Sequence, residues 1–212
     1  MSTLASLPVS GFAAALASDA PAPGGGSASA AAGAFGAGLL AMVVRLTLGK
    51  EKYRSAWETL DALLPRLDEV RTRLLELVDE DTKAYDAILA ARRLPKESDA
   101  EKAARKKAID ETTLVATSVP MQTAFFAERA LQAASTVGER GNPNAASDAW
   151  VAALLLSAAV DGALANVRIN LDGVGDSELK RGFSDEAEDL TKKSADLLEA
   201  CRALARSRGL AA

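Results

Sequence analysis

Pro21-Ala22-Pro23-Gly24-Gly25-Gly26-Ser27 opens the stretch Ala20 to Leu48, where three glycines and a serine lead directly into a long run of alanine and glycine. A glycine backbone bends freely and lets a neighbouring surface come close. The pattern predicts a helix over Ser27–Leu48. Ser27 is placed to cap N–H groups that lack a partner inside the helix, and Gly49 to stop it. A free helix N-terminus beside a glycine loop suits an anion or a carbonyl; the structural alternative is a turn into a tightly packed helix. Small residues recur every four positions on two faces, Ala30, Ala34 and Gly38 on one and Gly33, Ala37 and Ala41 on the other. Such faces let helices pack closely. So little of this helix wants water that burial is expected, within the fold or at a homodimer interface.

Working outward, the pattern stays helical, without alternating β-branched runs. A short helix is predicted near Ser10–Ser18 and a long one over Glu51–Arg93, which Pro65 kinks or splits. Ser98 and Glu101 form a capping box for a helix running to about Ser118. Pro120 suits the first turn of a separate helix ending near Gly138. Gly141-Asn142-Pro143-Asn144 reads as a loop, Ala145–Leu171 as a long helix, Gly173 and Gly175 as a turn, and Ser184–Ser207 as the last helix. No repeat and no linker divides the chain. The expectation is one domain over residues 1–212: an all-α, up-and-down bundle of long helices.

Hydrophobic residues make up 49% of the 212, yet aromatics only 4%. Alanine carries much of that share, so the core must be built from closely approaching backbones. A net charge of −4 gives no broad basic field for nucleic acid. Cys201 is the single cysteine, which leaves no internal disulfide and no multi-cysteine zinc site. A reducing, cytoplasmic location fits. There is no histidine, so Ser-His-Asp and Cys-His arrangements cannot form within this chain. Acid–base chemistry must use Asp, Glu, Lys, Tyr or bound water. The N-terminus lacks the basic start and strong apolar core of a signal peptide. Residues 20–44 are uncharged, but the strongly apolar part, Leu39 to Val44, is far shorter than the ~20 residues of a membrane span. No membrane association is expected.

Leu60, Leu67, Leu74, Asp81 and Ile88 recur every seven residues on the predicted apolar stripe of the long helix. A carboxylate there is costly unless paired or functional. Either Asp81 acts chemically, or it pairs with a Lys, Arg or Asn of another helix. Asp79 and Asp86 lie off the stripe and read as solvated. Asp148 and Asn166 stand 18 residues apart, five helical turns, and Asn170 shares their face, otherwise small and apolar. Such polar groups need partners: a ligand, or helix-to-helix amide bonds with Asp148 favouring the helix N-terminus. Lys50, Lys52 and Tyr53 either bind an anionic ligand tail or form an exposed turn. Trp57 and Trp150 read as packing residues or as a wall of a ring-binding pocket, and Cys201 shows no sign of activation.

Taken together, Pro21–Ser27 with Met42 and Leu46-Thr47-Leu48-Gly49, the segment Val78-Asp79-Glu80-Asp81-Thr82-Lys83-Ala84-Tyr85, Arg93-Leu94-Pro95-Lys96, Ser118-Val119-Pro120, Gly141-Asn142, Ser147-Asp148 and Asn166–Leu171 resemble, in order and over nearly the whole chain, the cyclodeaminase domain of formiminotransferase-cyclodeaminase. The stand-alone bacterial members of that family include a methenyltetrahydrofolate cyclohydrolase. The resemblance implies an all-α homodimer that acts on tetrahydrofolate one-carbon derivatives without a metal or other cofactor. It implies that Asp81 matches the family's catalytic aspartate. Asp148, Asn166 and Asn170 are then candidates for the pteridine edges. Gly24, Gly25, Gly26 and Ser27, or Lys50, Lys52 and Tyr53, are candidates for the glutamate tail. No formiminotransferase domain is attached to these 212 residues, which tilts the expected reaction toward hydrolysis of methenyltetrahydrofolate to 10-formyltetrahydrofolate, with Asp81 as general acid and base. Formiminotetrahydrofolate cyclodeamination, and a non-enzymatic folate-binding helical dimer, are the alternatives.

Overall fold

The structure, a computed structural model, describes residues 3–211. Its α-helices are α1 (Val9–Leu16), α2 (Gly25–Arg45), α3 (Trp57–Arg92), α4 (Asp99–Arg140), α5 (Ala146–Leu171) and α6 (Ser177–Ser207). Short 3-10 turns cover Leu4–Ser6, Glu51–Ala56 and Pro143–Ala145. No strand is present among the described residues. Successive long helices run antiparallel, and α2 lies in the middle against α3, α4 and α5.

Glycine and alanine make the central packing possible. A side chain at Gly36 would meet Leu156 Cγ at 2.6 Å and the Ala152 carbonyl at 3.0 Å on α5. One at Gly33 would press on Leu74 of α3 and Ala159 of α5. Leu40, Leu60, Leu74, Leu77, Leu131 and Leu164 fill the space around these contacts and are fully buried. Interiors packed to this density tolerate little change in volume. Two segments, Gly25–Arg45 and Pro143–Leu171, are long and apolar enough to cross a membrane by composition. Two thirds of the apolar window of the first is buried inside the bundle, as expected of a core helix.

Several elements differ from the sequence expectation. α2 begins at Gly25 with Gly24 as its N-cap, so Ser27 lies inside the first turn and caps nothing; it turns inward, toward α3. Pro65 sits exposed within an unbroken α3. Pro120 does not begin a new helix: α4 runs through it from the Ser98–Glu101 capping box to Arg140. Proline lacks an N–H and so releases the carbonyl four residues back, here that of Ala116. The Asn170 side chain of α5 donates to that same carbonyl at 2.7 Å, and the helix continues. α6 starts seven residues before the expected Ser184, because Asp176 accepts from the amides of Glu178 and Leu179 and caps the helix there.

Candidate active site

Asp81 lies one turn beyond the buried Leu77 and Val78 on α3, where the stripe meets the first turn of α2. The Ser27 backbone N–H and the Ser27 hydroxyl both donate to Asp81 Oδ2, each at 2.8 Å. Ser27 is fully buried; its hydroxyl also has the Val78 carbonyl at 3.1 Å as a second acceptor. Among the described residues nothing bonds Oδ1. The side chain fits because residue 26 is glycine: a Cβ there would overlap Oδ1 and stand 2.6 Å from Cγ. Thus the glycine run serves α3, leaving room for a carboxylate against a helix end.

Burial pushes the Asp81 carboxyl above its ordinary range, and the two Ser27 hydrogen bonds partly oppose this by favouring the anion. A group held in that way suits proton transfer near neutral pH better than an ordinary exposed carboxylate.

Asp81 opens into a cleft of about 260 Å³ lined by the loop before α2 and by parts of α3, α4 and α5. The cleft brings together Gly24, Gly25, Gly26, Asp81, Asn166 and Asn170. Tyr85, Ile88, Ala116 and Ile169 also line it, and none of these was a candidate from the sequence. Tyr85 carried a readable signal, since it lies one helical turn after Asp81 and shares its face. Asn166 donates to the Gly162 carbonyl at 2.8 Å and Asn170 to that of Ala116. Both amide nitrogens are therefore held by the protein, which leaves the two side-chain carbonyl oxygens as acceptors. Farther along α3, Arg73 joins α3 to α4 by bonding Glu80 and Gln122, each at 2.9 Å.

The other candidates lie elsewhere in the chain. Asp148 is at the start of α5, about 27 Å from Asn166 at 1.5 Å per residue. Lys50, Lys52 and Tyr53 follow the far end of α2. Lys50 and Lys52 are exposed. Lys52 Nζ sits 4.7 Å from the Tyr53 ring centre. The Tyr53 hydroxyl donates to Asn142 Oδ1 at 3.0 Å, and the Asn142 amide donates to Thr47 Oγ1 at 2.8 Å. These bonds tie the loop between α4 and α5 to the end of α2. Within one chain, then, these residues stand a bundle's length from Asp81. Cys201 is buried and its thiol is pushed up to about 11, which makes it a poor nucleophile.

Comparison with known proteins gives a consistent picture. The family described as formiminotransferase-cyclodeaminase matches residues 8–189. A protein named methenyltetrahydrofolate cyclohydrolase from Methylorubrum extorquens is 37% identical over 84% of this chain and 84% of its own. The formimidoyltransferase-cyclodeaminase of Rattus norvegicus is 34% identical over 69% of this chain, a match that spans only 27% of that longer protein. The crystal structure of formiminotetrahydrofolate cyclodeaminase from Thermotoga maritima superimposes with a TM-score of 0.86 over 96% of this chain and 98% of that one, at 24% identity, and shows the same fold.

Proposed function

The chain belongs to the formiminotransferase-cyclodeaminase family, and from that premise we propose that it is an enzyme that hydrolyses 5,10-methenyltetrahydrofolate to 10-formyltetrahydrofolate, with Asp81 as general base and then general acid. The observation that carries this reading is the asymmetric hold on Asp81, with Oδ2 anchored twice by Ser27 and Oδ1 left free in a cleft. The match to the Methylorubrum extorquens cyclohydrolase across most of both chains favours hydrolysis over deamination.

The substrate carries a cationic amidinium carbon between N5 and N10. A half-buried carboxylate attracts that cation more strongly than it would in open water. Oδ1 takes a proton from a water molecule as its oxygen bonds the amidinium carbon. The protonated carboxyl then passes that proton to N5 as the C–N5 bond breaks. The adduct's hydroxyl proton leaves to solvent, and the formyl group stays on N10. One carboxylate serves both steps, which suits a chain without histidine. The Asn166 and Asn170 carbonyls accept from amino edges of the pteridine. In this reading no metal or further cofactor takes part, the chain works as a homodimer, and its location is cytoplasmic.

The test is the decay of methenyltetrahydrofolate absorbance with purified protein against the spontaneous rate. Acceleration supports the reading. If the rate is unchanged while formiminotetrahydrofolate yields ammonia, the enzyme is the deaminase of the same scaffold. If neither substrate turns over and folate binds, it is a binding module.

Ser27→Ala removes one of the two donors to Oδ2. The anion loses support, so the Asp81 carboxyl rises further and the low-pH limb of kcat/KM moves to higher pH. A hydrogen bond to a charged group is worth roughly 1.5–3 kcal/mol, so kcat falls on the order of tenfold. A pH–rate profile superimposable on wild type would remove Ser27 from this role.

A further inference from the structure

The seam between α3 and α4 carries a groove of about 240 Å³. Its floor is apolar, with Leu67, Val70 and Ala130 buried there. Arg66 stands on the α3 wall, and Arg129, Gln132 and Thr136 stand on the α4 wall. Two bonds across the seam fix their level. Arg73 of α3 reaches Gln122 of α4, and Arg140 of α4 reaches Thr59 of α3. Arg66 lies midway between Thr59 and Arg73, and Arg129 lies close to midway between Gln122 and Arg140. The two arginines therefore face each other at one level across the groove.

Like charges so placed repel unless an opposite charge stands between them. Elsewhere on this seam the fold supplies one, since Arg73 has Glu76 and Glu80 as ion-pair partners. Among the described residues neither Arg66 nor Arg129 has an ion-pair or hydrogen-bond partner. The carboxylates nearest in sequence are engaged or turned elsewhere. Glu128 is buried and accepts from Gln132, Asp68 pairs with Arg45 and Arg71, and Glu69 lines a separate hollow with Arg73. Arg129 is nevertheless held in place, because its guanidinium lies 5.6 Å from the Phe125 ring centre. That contact uses the flat face of the guanidinium and leaves its N–H fork free. Thr136 adds a hydroxyl. Thr112, Thr117 and Thr123 of the same helix donate to the carbonyl four residues back, whereas Thr136 Oγ1 bonds nothing among the described residues.

We propose that this groove binds a small organic dianion, a phosphate monoester or a dicarboxylate, gripped by Arg66 and Arg129 from opposite walls with the Thr136 hydroxyl as a further donor. Guanidinium forks match both kinds of oxyanion, and the apolar floor receives the carbon skeleton. The volume lies below the roughly 300–1,000 Å³ of pockets that take drug-sized molecules, so the ligand is small. The groove shares no lining residue with the cleft. From residue 66 to residue 81 the climb along α3 is about 22 Å at 1.5 Å per residue, so a ligand here leaves the cleft open. Occupancy joins α3 to α4 where the two walls otherwise repel, and it favours the folded chain by mass action. The site stands whether or not the folate reading does.

Calorimetric titration at low ionic strength tests it, with methyl phosphate and succinate as the probes. Wild type is expected to bind at least one of them saturably, one per chain, at millimolar concentration or below. Saturation by methyl phosphate points to a phosphate ester as the ligand, and saturation by succinate to a dicarboxylate. Arg66→Gln and Arg129→Gln are each expected to weaken that binding on the order of tenfold, from the loss of charge-assisted hydrogen bonds. The double variant is expected to lose it. Both positions are exposed and bond no other element, so helicity measured on the same samples is expected to stay as in wild type. Asp81→Asn is expected to bind the probe as wild type does. No saturable heat from either probe overturns the proposal. Binding that survives in the double variant also overturns it, since the anion then sits elsewhere. So does binding that is lost in Asp81→Asn, which would put the anion in the cleft.

Discussion

Turnover by the Asp81→Asn protein is expected to fall by about 10³-fold while its melting temperature at neutral pH rises. The loss follows from removing the only carboxylate among the described residues that line the cleft, since positioned general acid–base groups contribute about 10²–10⁴-fold. The gain in stability follows from linkage. Burial holds the folded carboxyl above its ordinary value of 3.8, so between that value and the raised one the folded state binds more protons than the unfolded chain. Stability then falls as pH rises through that window and stays lower above it. Asparagine carries no charge to bury, and its carbonyl can still accept from the Ser27 amide and hydroxyl. The gain should therefore be present at pH 7 and vanish below the ordinary carboxylate range. Turnover within tenfold of wild type would remove Asp81 from the mechanism, and a pH-independent gain would remove buried charge as its cause.

Gly26→Ala is expected to be almost as damaging to turnover, although it is a mild change for a helix. Alanine is favoured over glycine in a helix interior by about 1 kcal/mol, so α2 itself loses nothing. The added Cβ, however, would overlap Asp81 Oδ1 and stand 2.8 Å from Oδ2. The carboxylate must swing away from the cleft and break its bonds to Ser27. A displacement of about 1 Å at a reacting group can cost 10²-fold in rate, and that is the fall expected in kcat, with helicity unchanged. Wild-type kcat in Gly26→Ala would show that the carboxylate has slack at this contact, which the geometry denies.

Much of this was legible in the chain. The seven-residue spacing put Asp81 where a leucine belonged; its half-buried carboxylate accepts from Ser27 and not from a Lys, Arg or Asn of another helix, the structural partner that the spacing left open. The glycine run and the Ala/Gly helix announced close packing, and Gly33 and Gly36 meet α3 and α5 as such faces should. Other features were hidden because their signals were local while their causes were distant. Ser27 read as a cap, since a serine after glycines usually is one, but its partner lies 54 residues away on α3. Pro120 read as a helix start, because nothing nearby announced that a side chain on another helix would take the released carbonyl. Asp148 and Asn166 share a helical face, yet periodicity reports angle around the axis and says nothing of the five turns between them. For Lys50, Lys52 and Tyr53 the chain order concealed that α2 carries them to the opposite end of the bundle.

The bond from Asn170 to the Ala116 carbonyl also ties the histories of two distant positions together. Asn170→Ala takes the donor from a part-buried acceptor in the cleft wall at a cost of about 1 kcal/mol, but only while residue 120 is proline. In a Pro120→Ala background the restored amide of residue 120 reclaims that carbonyl, and Asn170 becomes dispensable for stability. The two substitutions should thus be strongly non-additive in a double-mutant cycle. While residue 120 is proline, the amide at 170 in the wall of the cleft serves folding as well as chemistry.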